Sequence, residues 1–187
     1  MSQENLLTIY SEATPNPESM KFVLNRMILP NDSADFRVKE NAGDSPLAEA
    51  LFELPYVNGV FIMNNFVSIT RVPETDWQEA IPVLKDFIKN WVDAEKVILN
   101  PKKEVSEADL GSIEGKIRNL LDEYVRPAVE MDGGAIDFKS FKEGVVTVQM
   151  KGSCSGCPSS TMTLKSGIEN LLKRMLPEVT AVEAEAV

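Results

Sequence analysis

The only two cysteines of the chain lie three positions apart, in the stretch MKGSCSGCPSS that runs from Met150 to Ser160. The 187 residues include no histidine. Cys154 and Cys157 are therefore the only thiols that could attack a disulfide or bind a soft metal ion. The spacing alone leaves both chemistries open, because thioredoxin-type redox motifs and metal sites share the Cys-x-x-Cys pattern.

The residues around the pair favour a chemical role over an incidental one. Both thiols lie in a segment of Gly, Ser and Pro rather than on an apolar stripe. Gly152 and Gly156 let the backbone pass close to a ligand, and Pro158 suits the first turn of a helix. The free amides of that turn stabilise thiolate. We therefore expect reactive thiols at the junction between a strand and a helix.

A metal site needs more ligands than one chain holds. A closed zinc site takes four ligands, and this chain has no histidine and no third cysteine to complete one. Two copies related by a two-fold axis would bring four thiolates together, a set that suits an iron–sulfur cluster or zinc. A cluster shared on an exposed loop can leave when the dimer opens. That behaviour describes a carrier better than an electron-transfer protein.

Composition and charge narrow the class of protein. At 43% hydrophobic residues, the chain can bury one full core or two small ones. Its net charge of -10 has the wrong sign for a phosphate backbone, so we predict no nucleic-acid partner. No apolar run approaches the roughly 20 residues of a membrane span, and the start MSQENLLTIYSEA lacks a basic region followed by an apolar one. We predict a cytoplasmic protein with no membrane partner.

Short strands dominate the first predicted module, residues 1–92. The runs LLTIYSEA, SMKFVLN, VNGVFIM and FVSITRV predict four strands, the last two joined as a hairpin at Asn64 and Asn65. SPLAEALFEL predicts a short helix with Ser45 as its N-cap. Apolar residues at spacings of three and four predict a second helix: Trp77, Ile81, Leu84, Ile88 and Trp91. Pro82 should either kink this helix or mark its first turn.

Residues 93–110 are predicted to connect this module to a second one, residues 111–187. Its first helix should end near Asp132-Gly133-Gly134, where a glycine suits the left-handed C-cap. AIDFKSF and VVTVQM predict a hairpin, a helix should follow Pro158, and TAVEAEAV predicts a last strand. The helix, strand, strand, helix, strand order predicts an α+β fold, with two small layered domains in the whole chain. The predicted buried positions of the two helices are Ile113, Ile117, Leu120, Leu121 and Tyr124, then Leu164, Ile168, Leu171, Leu172 and Met175.

Two longer runs resemble a known family. LLDEYVRPAVEMDGGAIDFKSF and VVTVQMKGSCSGCPSSTMTLKSGIENLLKRMLPEV closely resemble the C-terminal domain of NifU, which defines the NifU-like (Nfu) family. The first module resembles the Nfu N-terminal domain through TPNPESMKF, SPLAEALFEL and GVFIMNNFVSITR. Together the two resemblances cover nearly the whole chain.

The resemblance implies an iron–sulfur cluster scaffold or carrier rather than an enzyme. Carried over by position, Cys154 and Cys157 of two subunits would be the metal ligands of one shared [4Fe–4S] or [2Fe–2S] cluster. The loaded protein would be a homodimer that receives the cluster from a donor and passes it to apo iron–sulfur proteins. Two alternatives stay open: a thiol–disulfide oxidoreductase that uses the pair within one chain, and a zinc-bridged structural dimer, which ligand type alone does not separate from an iron site.

Overall fold

The computed structural model describes residues 6–100, 112–155 and 158–186. The chain divides into two compact units, with the boundary between residues 101 and 102. Each unit contains one sheet and its own helices, which confirms the predicted α+β class. Over the described ranges, every helix is too short or too polar to cross a membrane.

Five antiparallel strands form the sheet of the first unit, in the order β1-β2-β5-β4-β3. Their bounds are β1 (Ile9–Ala13), β2 (Ser19–Leu24), β3 (Leu29–Phe36), β4 (Val57–Asn64) and β5 (Phe66–Arg71). The predicted hairpin between β4 and β5 is confirmed, and Asn64 takes a left-handed φ of 47° at its turn. The sequence patterns missed β3, an edge strand in which only Ala34 and Phe36 are buried.

Two helices and a 3₁₀ turn (Lys39–Asp44) complete the first unit: α1 (Pro46–Phe52) and α2 (Trp77–Asp93). The predicted cap of α1 is confirmed, because the Ser45 hydroxyl accepts a hydrogen bond from the Ala48 amide. Helix α2 begins after Asp76, whose carboxylate accepts from the Gln78 amide, so Pro82 lies inside the helix rather than in its first turn. The face of α2 toward the core carries Ala80, Leu84, Ile88 and Val92.

Part of the predicted connection packs on the first unit. Ile98 and Leu99 lie against its hydrophobic core. The Ser45 hydroxyl donates to the Ile98 carbonyl at 2.5 Å, and the Asn100 amide donates to the Asp44 carbonyl at 2.8 Å. The rest of the predicted connection, residues 101–110, lies outside the described residues.

The second unit has the predicted order of elements. Its first helix is built from α3 (Ile113–Leu120), a π-helical turn (Leu121–Val125) and α4 (Arg126–Met131). Strands β6 (Gly134–Lys142) and β7 (Val145–Gly152) form an antiparallel hairpin, and β8 (Ala181–Ala186) pairs with β7 in parallel. Helix α5 (Pro158–Met175) connects β7 to β8 and packs with the first helix over one face of the sheet.

The π-helical turn changes which side chains of the first helix are buried. The Arg126 amide donates to the Leu121 carbonyl five residues earlier, so this turn holds one residue more than an α-helical turn. Tyr124 is 53% exposed, while Val125 and Val129 are buried. The prediction that Tyr124 lies on the buried face is therefore wrong, because it assumed a uniform 3.6-residue repeat.

The buried stripe of α5 also differs from the prediction at one position. Ile168 and Leu172 are buried as predicted, but Met175 is 47% exposed and Leu176 takes its place in the core. The helix ends at Met175, and the chain then turns toward β8 with a hydrogen bond from the Val179 amide to the Leu176 carbonyl. Leu176 lies four positions after Leu172 and its amide donates to the Leu172 carbonyl at 2.7 Å, so it continues the helical spacing of Ile168 and Leu172, whereas the prediction chose Met175.

The turn between β6 and β7 requires glycine at its second position. Glu143 and Gly144 both have positive φ, 50° and 83°, as in the two-residue hairpin turns that match the twist of the strands. The Gly144 carbonyl accepts a hydrogen bond from the Thr180 amide at 2.7 Å, so the turn also holds the start of β8.

We predict that Gly144→Ala destabilises the protein by about 1–3 kcal/mol. The new Cβ would stand 2.7 Å from Thr180 Oγ1 and 3.1 Å from the Glu178 carbonyl, at a φ that alanine rarely adopts. Urea unfolding measures the change. Gly167→Ala is the control, because Gly167 lies in α5 with no neighbouring atom within 4 Å of the added Cβ. Equal unfolding midpoints for the two variants would contradict the prediction.

Candidate functional site

The first thiol lies at the junction that the sequence predicts. Strand β7 ends at Gly152, a 3₁₀ turn covers Ser153–Ser155, and α5 begins at Pro158. Cys154 is therefore held between a strand and a helix. Cys157 and Gly156 lie outside the described residues, so the geometry of the pair stays a prediction. Among the residues that the structure describes, no three Cys, Asp or Glu side chains converge to hold a metal ion.

The Asp132-Gly133-Gly134 run lies beside the first thiol. Helix α4 ends at Met131, and the Gly133 amide donates to the Glu130 carbonyl at 3.1 Å, so the predicted helix cap is confirmed. Gly133 has a left-handed φ of 79°. The Ser153 amide donates to the Gly133 carbonyl at 3.4 Å, and the Ser153 hydroxyl donates to the Asp132 carbonyl. These bonds fasten the cysteine segment to the end of α4.

A glycine that sequence reasoning did not connect with the site lies beside the Cys154 sulfur. A Cβ added at Gly134 would stand 2.8 Å from Cys154 Sγ and 2.6 Å from the Lys151 carbonyl oxygen. A side chain at this position therefore has no room. The second glycine of Asp132-Gly133-Gly134 is the sequence feature that could have pointed to this contact, because a helix cap requires only one left-handed glycine.

Hydrogen bonding to helix α5 holds the other side of the cysteine. The Thr161 hydroxyl donates to the Cys154 carbonyl at 3.0 Å. The Cys154 side chain belongs to the hydrophobic core of the second unit and is only 5% exposed. One thiol of the pair is thus packed as a core residue, with its backbone tied to both flanking helices.

Burial changes the acidity of this thiol. The pKa of Cys154 is raised from an ordinary 9.0 to about 11: desolvation is the main cause, a hydrogen bond with Ser153 partly opposes it, and the Asp132 carboxylate adds to it. Cys154 is therefore a protonated thiol at neutral pH. The expectation of a reactive thiolate is wrong for Cys154, because the loss of hydration raises the pKa of this thiol more than the helix amides predicted from the sequence could lower it.

Comparison with known proteins matches both units. Residues 9–95 match the family profile described as "Scaffold protein Nfu/NifU N terminal", and residues 117–183 match the "NifU-like domain". A solved structure with a similar fold is a NifU-like protein from Saccharomyces cerevisiae, with a TM-score of 0.46 and 24% identity, covering 52% of this chain and 89% of that one.

Similar relatives span both units. The human "NFU1 iron-sulfur cluster scaffold homolog, mitochondrial" is 35% identical over 179 residues, which cover 94% of this chain and 70% of the human protein. "NifU-like protein 5, mitochondrial" of Arabidopsis thaliana is 35% identical over 195 residues, covering 99% of this chain and 70% of the plant protein. The Drosophila sechellia protein with the same name as the human one is 39% identical, and this chain spans 64% of its length.

These names overturn one prediction. The relatives are mitochondrial proteins by name, so the prediction of a cytoplasmic protein, which rested on the composition of the first residues, is wrong. The family resemblance of both modules is confirmed, since the two profiles cover most of the chain and the human relative matches across both units. The chain belongs to the NifU-like (Nfu) family of scaffold proteins.

Proposed function

We propose that this protein is a non-enzymatic scaffold that binds a labile iron–sulfur cluster between the Cys154 and Cys157 pairs of two copies. The cluster would be [4Fe–4S] or [2Fe–2S], and it would pass to apo iron–sulfur proteins. The count of ligands carries the proposal, because the chain contains two cysteines, three positions apart, and no histidine. The names of the human and fly relatives, iron–sulfur cluster scaffold homologs, support it.

Loading and release are ligand exchanges in this scheme. Each cysteine gives up its proton as an iron–sulfur bond forms, so four protons leave when four thiols bind one cluster. A recipient protein then replaces these bonds with its own thiolates, and the scaffold thiols take protons back. The cluster moves without net oxidation or reduction. Two copies contribute equally, so opening the dimer exposes the cluster to the recipient.

The state of Cys154 in the chain favours this exchange over redox chemistry. Efficient attack on a disulfide needs a thiol whose pKa is near the ambient pH. The pKa of Cys154 is raised to about 11, mainly by burial, so this thiol is a poor attacking group at neutral pH. Iron binding must displace the proton of this thiol, so the raised pKa weakens the binding of iron at neutral pH. A labile site is what a carrier needs.

The first unit contains no cysteine. Both cysteines of the chain lie in the second unit. We propose that the first unit recognises the cluster donor or the recipient. The mitochondrial names of the relatives support donors and recipients in that organelle.

We predict that anaerobic reconstitution with iron and sulfide turns the full chain brown and converts it to a dimer with about four irons if the cluster is [4Fe–4S]. Metal and acid-labile sulfide analysis, read beside light scattering, measures the outcome. Cys154→Ala and Cys157→Ala should each abolish both the colour and the dimer, because each variant chain keeps one cysteine and only two of the four thiolates then remain in the dimer.

Ser166→Ala is the matched control, since Ser166 is exposed on α5 and its hydroxyl donates within that helix, to the Met162 carbonyl. It should load like the parent protein. A colourless parent protein after reconstitution, or zinc in place of iron in the protein as isolated, would contradict the scaffold proposal. Zinc would favour the structural dimer.

We predict that alkylation of Cys154 in metal-free Cys157→Ser protein is slow at neutral pH and speeds up tenfold per pH unit until about pH 11. The folded thiol has a raised pKa, so it keeps its proton as pH rises through the ordinary 9.0 and loses it only near about 11. Iodoacetamide labelling followed by mass spectrometry gives the rates. Denatured protein is the control, and the midpoint of its alkylation rate against pH should lie near the ordinary thiol pKa of 9.0. A midpoint near pH 7 would instead favour the oxidoreductase alternative.

A further inference from the structure

We infer that Gly134 is a positioning residue for the Cys154 thiol, because its missing side chain makes the recess in which the sulfur lies. Gly134 is the first residue of β6, and Cys154 follows the end of β7, which pairs with β6. The steric part of the inference stands on the fold alone. Its consequence for the cluster rests on the function proposed above.

Space, rather than backbone conformation, demands glycine here. Gly133 has a φ of 79°, which is a sufficient reason for glycine at that position, but Gly134 does not have a positive φ. A Cβ at Gly134 would instead meet the Lys151 carbonyl oxygen at 2.6 Å and Cys154 Sγ at 2.8 Å, closer than real Cβ contacts come. The two neighbouring glycines therefore serve different purposes, one for the cap and one for the thiol.

Strand pairing fixes the position of the Lys151 carbonyl, one of the two groups that a Cβ at Gly134 would meet. Ala135 pairs with Lys151 and Gly134 pairs with Gly152 in the β6–β7 ladder, so the Lys151 carbonyl cannot retreat without breaking the sheet register. The Cys154 side chain, by contrast, can rotate about its Cα–Cβ bond. A methyl group at Gly134 would therefore strain the ladder at Lys151 and also displace the sulfur, which is the neighbour that can move by rotation.

The backbone of the cysteine is also held in place. Ser153 bonds to the Asp132 and Gly133 carbonyls, and Thr161 bonds to the Cys154 carbonyl. These contacts keep the segment close to β6 while the side chain turns. A methyl group at Gly134 would therefore drive the sulfur out of its recess toward solvent, and the position of one cluster ligand would be lost.

The first test uses metal-free protein, so that it does not depend on the cluster. In the Cys157→Ser background, Gly134→Ala should make iodoacetamide alkylation of Cys154 about 10- to 100-fold faster at pH 8, because the displaced sulfur becomes accessible to the reagent. Gly167→Ala should leave the rate unchanged. Gly144→Ala, which strains a turn away from the thiol, controls for general loss of stability. A Gly134→Ala rate equal to that of Gly167→Ala or Gly144→Ala overturns the inference.

A second measurement covers the case in which Gly134→Ala does not fold. Cys154→Ala removes the sulfur that the new methyl group would meet, so Gly134→Ala should lower the urea midpoint less in the Cys154→Ala background than in the parent. Equal losses in the two backgrounds would mean that the Lys151 carbonyl alone excludes a side chain, and would also overturn the inference.

The consequence for the cargo is tested in the full chain with both cysteines. After reconstitution, Gly134→Ala should lose iron to a chelator at least about tenfold faster than the Gly167→Ala control. If the parent protein holds no iron, the proposed function fails, while the alkylation rates still decide the role of Gly134. If the parent and Gly134→Ala hold iron equally well, the positioning role is refuted and the scaffold proposal stands.

Discussion

The register of the β6–β7 hairpin is the constraint on which the second unit depends. It pairs Gly134 with Gly152, and so brings the end of the first helix beside the start of the cysteine segment. The same register turns Val146, Val148 and Met150 toward the core. Because side chains alternate along a strand, a slip of one residue would expose these three and separate the glycines. Core packing and the geometry around Cys154 therefore have a common cause.

The Cys154 thiol is part of the hydrophobic core of the second unit. Cys154 belongs to the same cluster of buried residues as Met150, Val129 and Leu172, from the sheet and both helices. Its sulfur contributes apolar contacts while it is protonated, and burial keeps it protonated. Any partner that draws this sulfur out must replace those contacts. The accessibility of this thiol is thus tied to how well the second unit packs.

Local patterns in the sequence were enough to predict most elements. The β4–β5 hairpin followed from two asparagines between apolar runs, and the α1 cap from Ser45 before Pro46. Strand β3 escaped notice because an edge strand needs few apolar residues, and LPNDSADF buries only two. Tyr124 was misplaced because a π-helical turn has no clear sequence signature. Strand β3 is fixed by its pairing with β4, whereas the exposure of Tyr124 follows from a hydrogen bond within its own helix.

The chemistry around Cys154 was predicted less completely, for a related reason. The position of Cys154 between strand and helix can be read from local signals, but its burial depends on residues that are 20 or more positions away, such as Gly134 and Val129. The helix amides that favour thiolate are local, whereas the desolvation that opposes them is not. The second glycine of Asp132-Gly133-Gly134 likewise has a purpose only once β6 lies against β7.

The π-helical turn before Asp132 limits how the chain can change in length. Because the Arg126 amide reaches the Leu121 carbonyl, this turn holds an extra residue, and Pro127 follows directly. Deleting one residue would restore the α-helical count, but it would press the proline ring against the carbonyl four positions before it. The extra residue therefore lets the helix accommodate this proline. The helix that leads to the thiol should tolerate substitutions on its exposed face far better than a single-residue deletion.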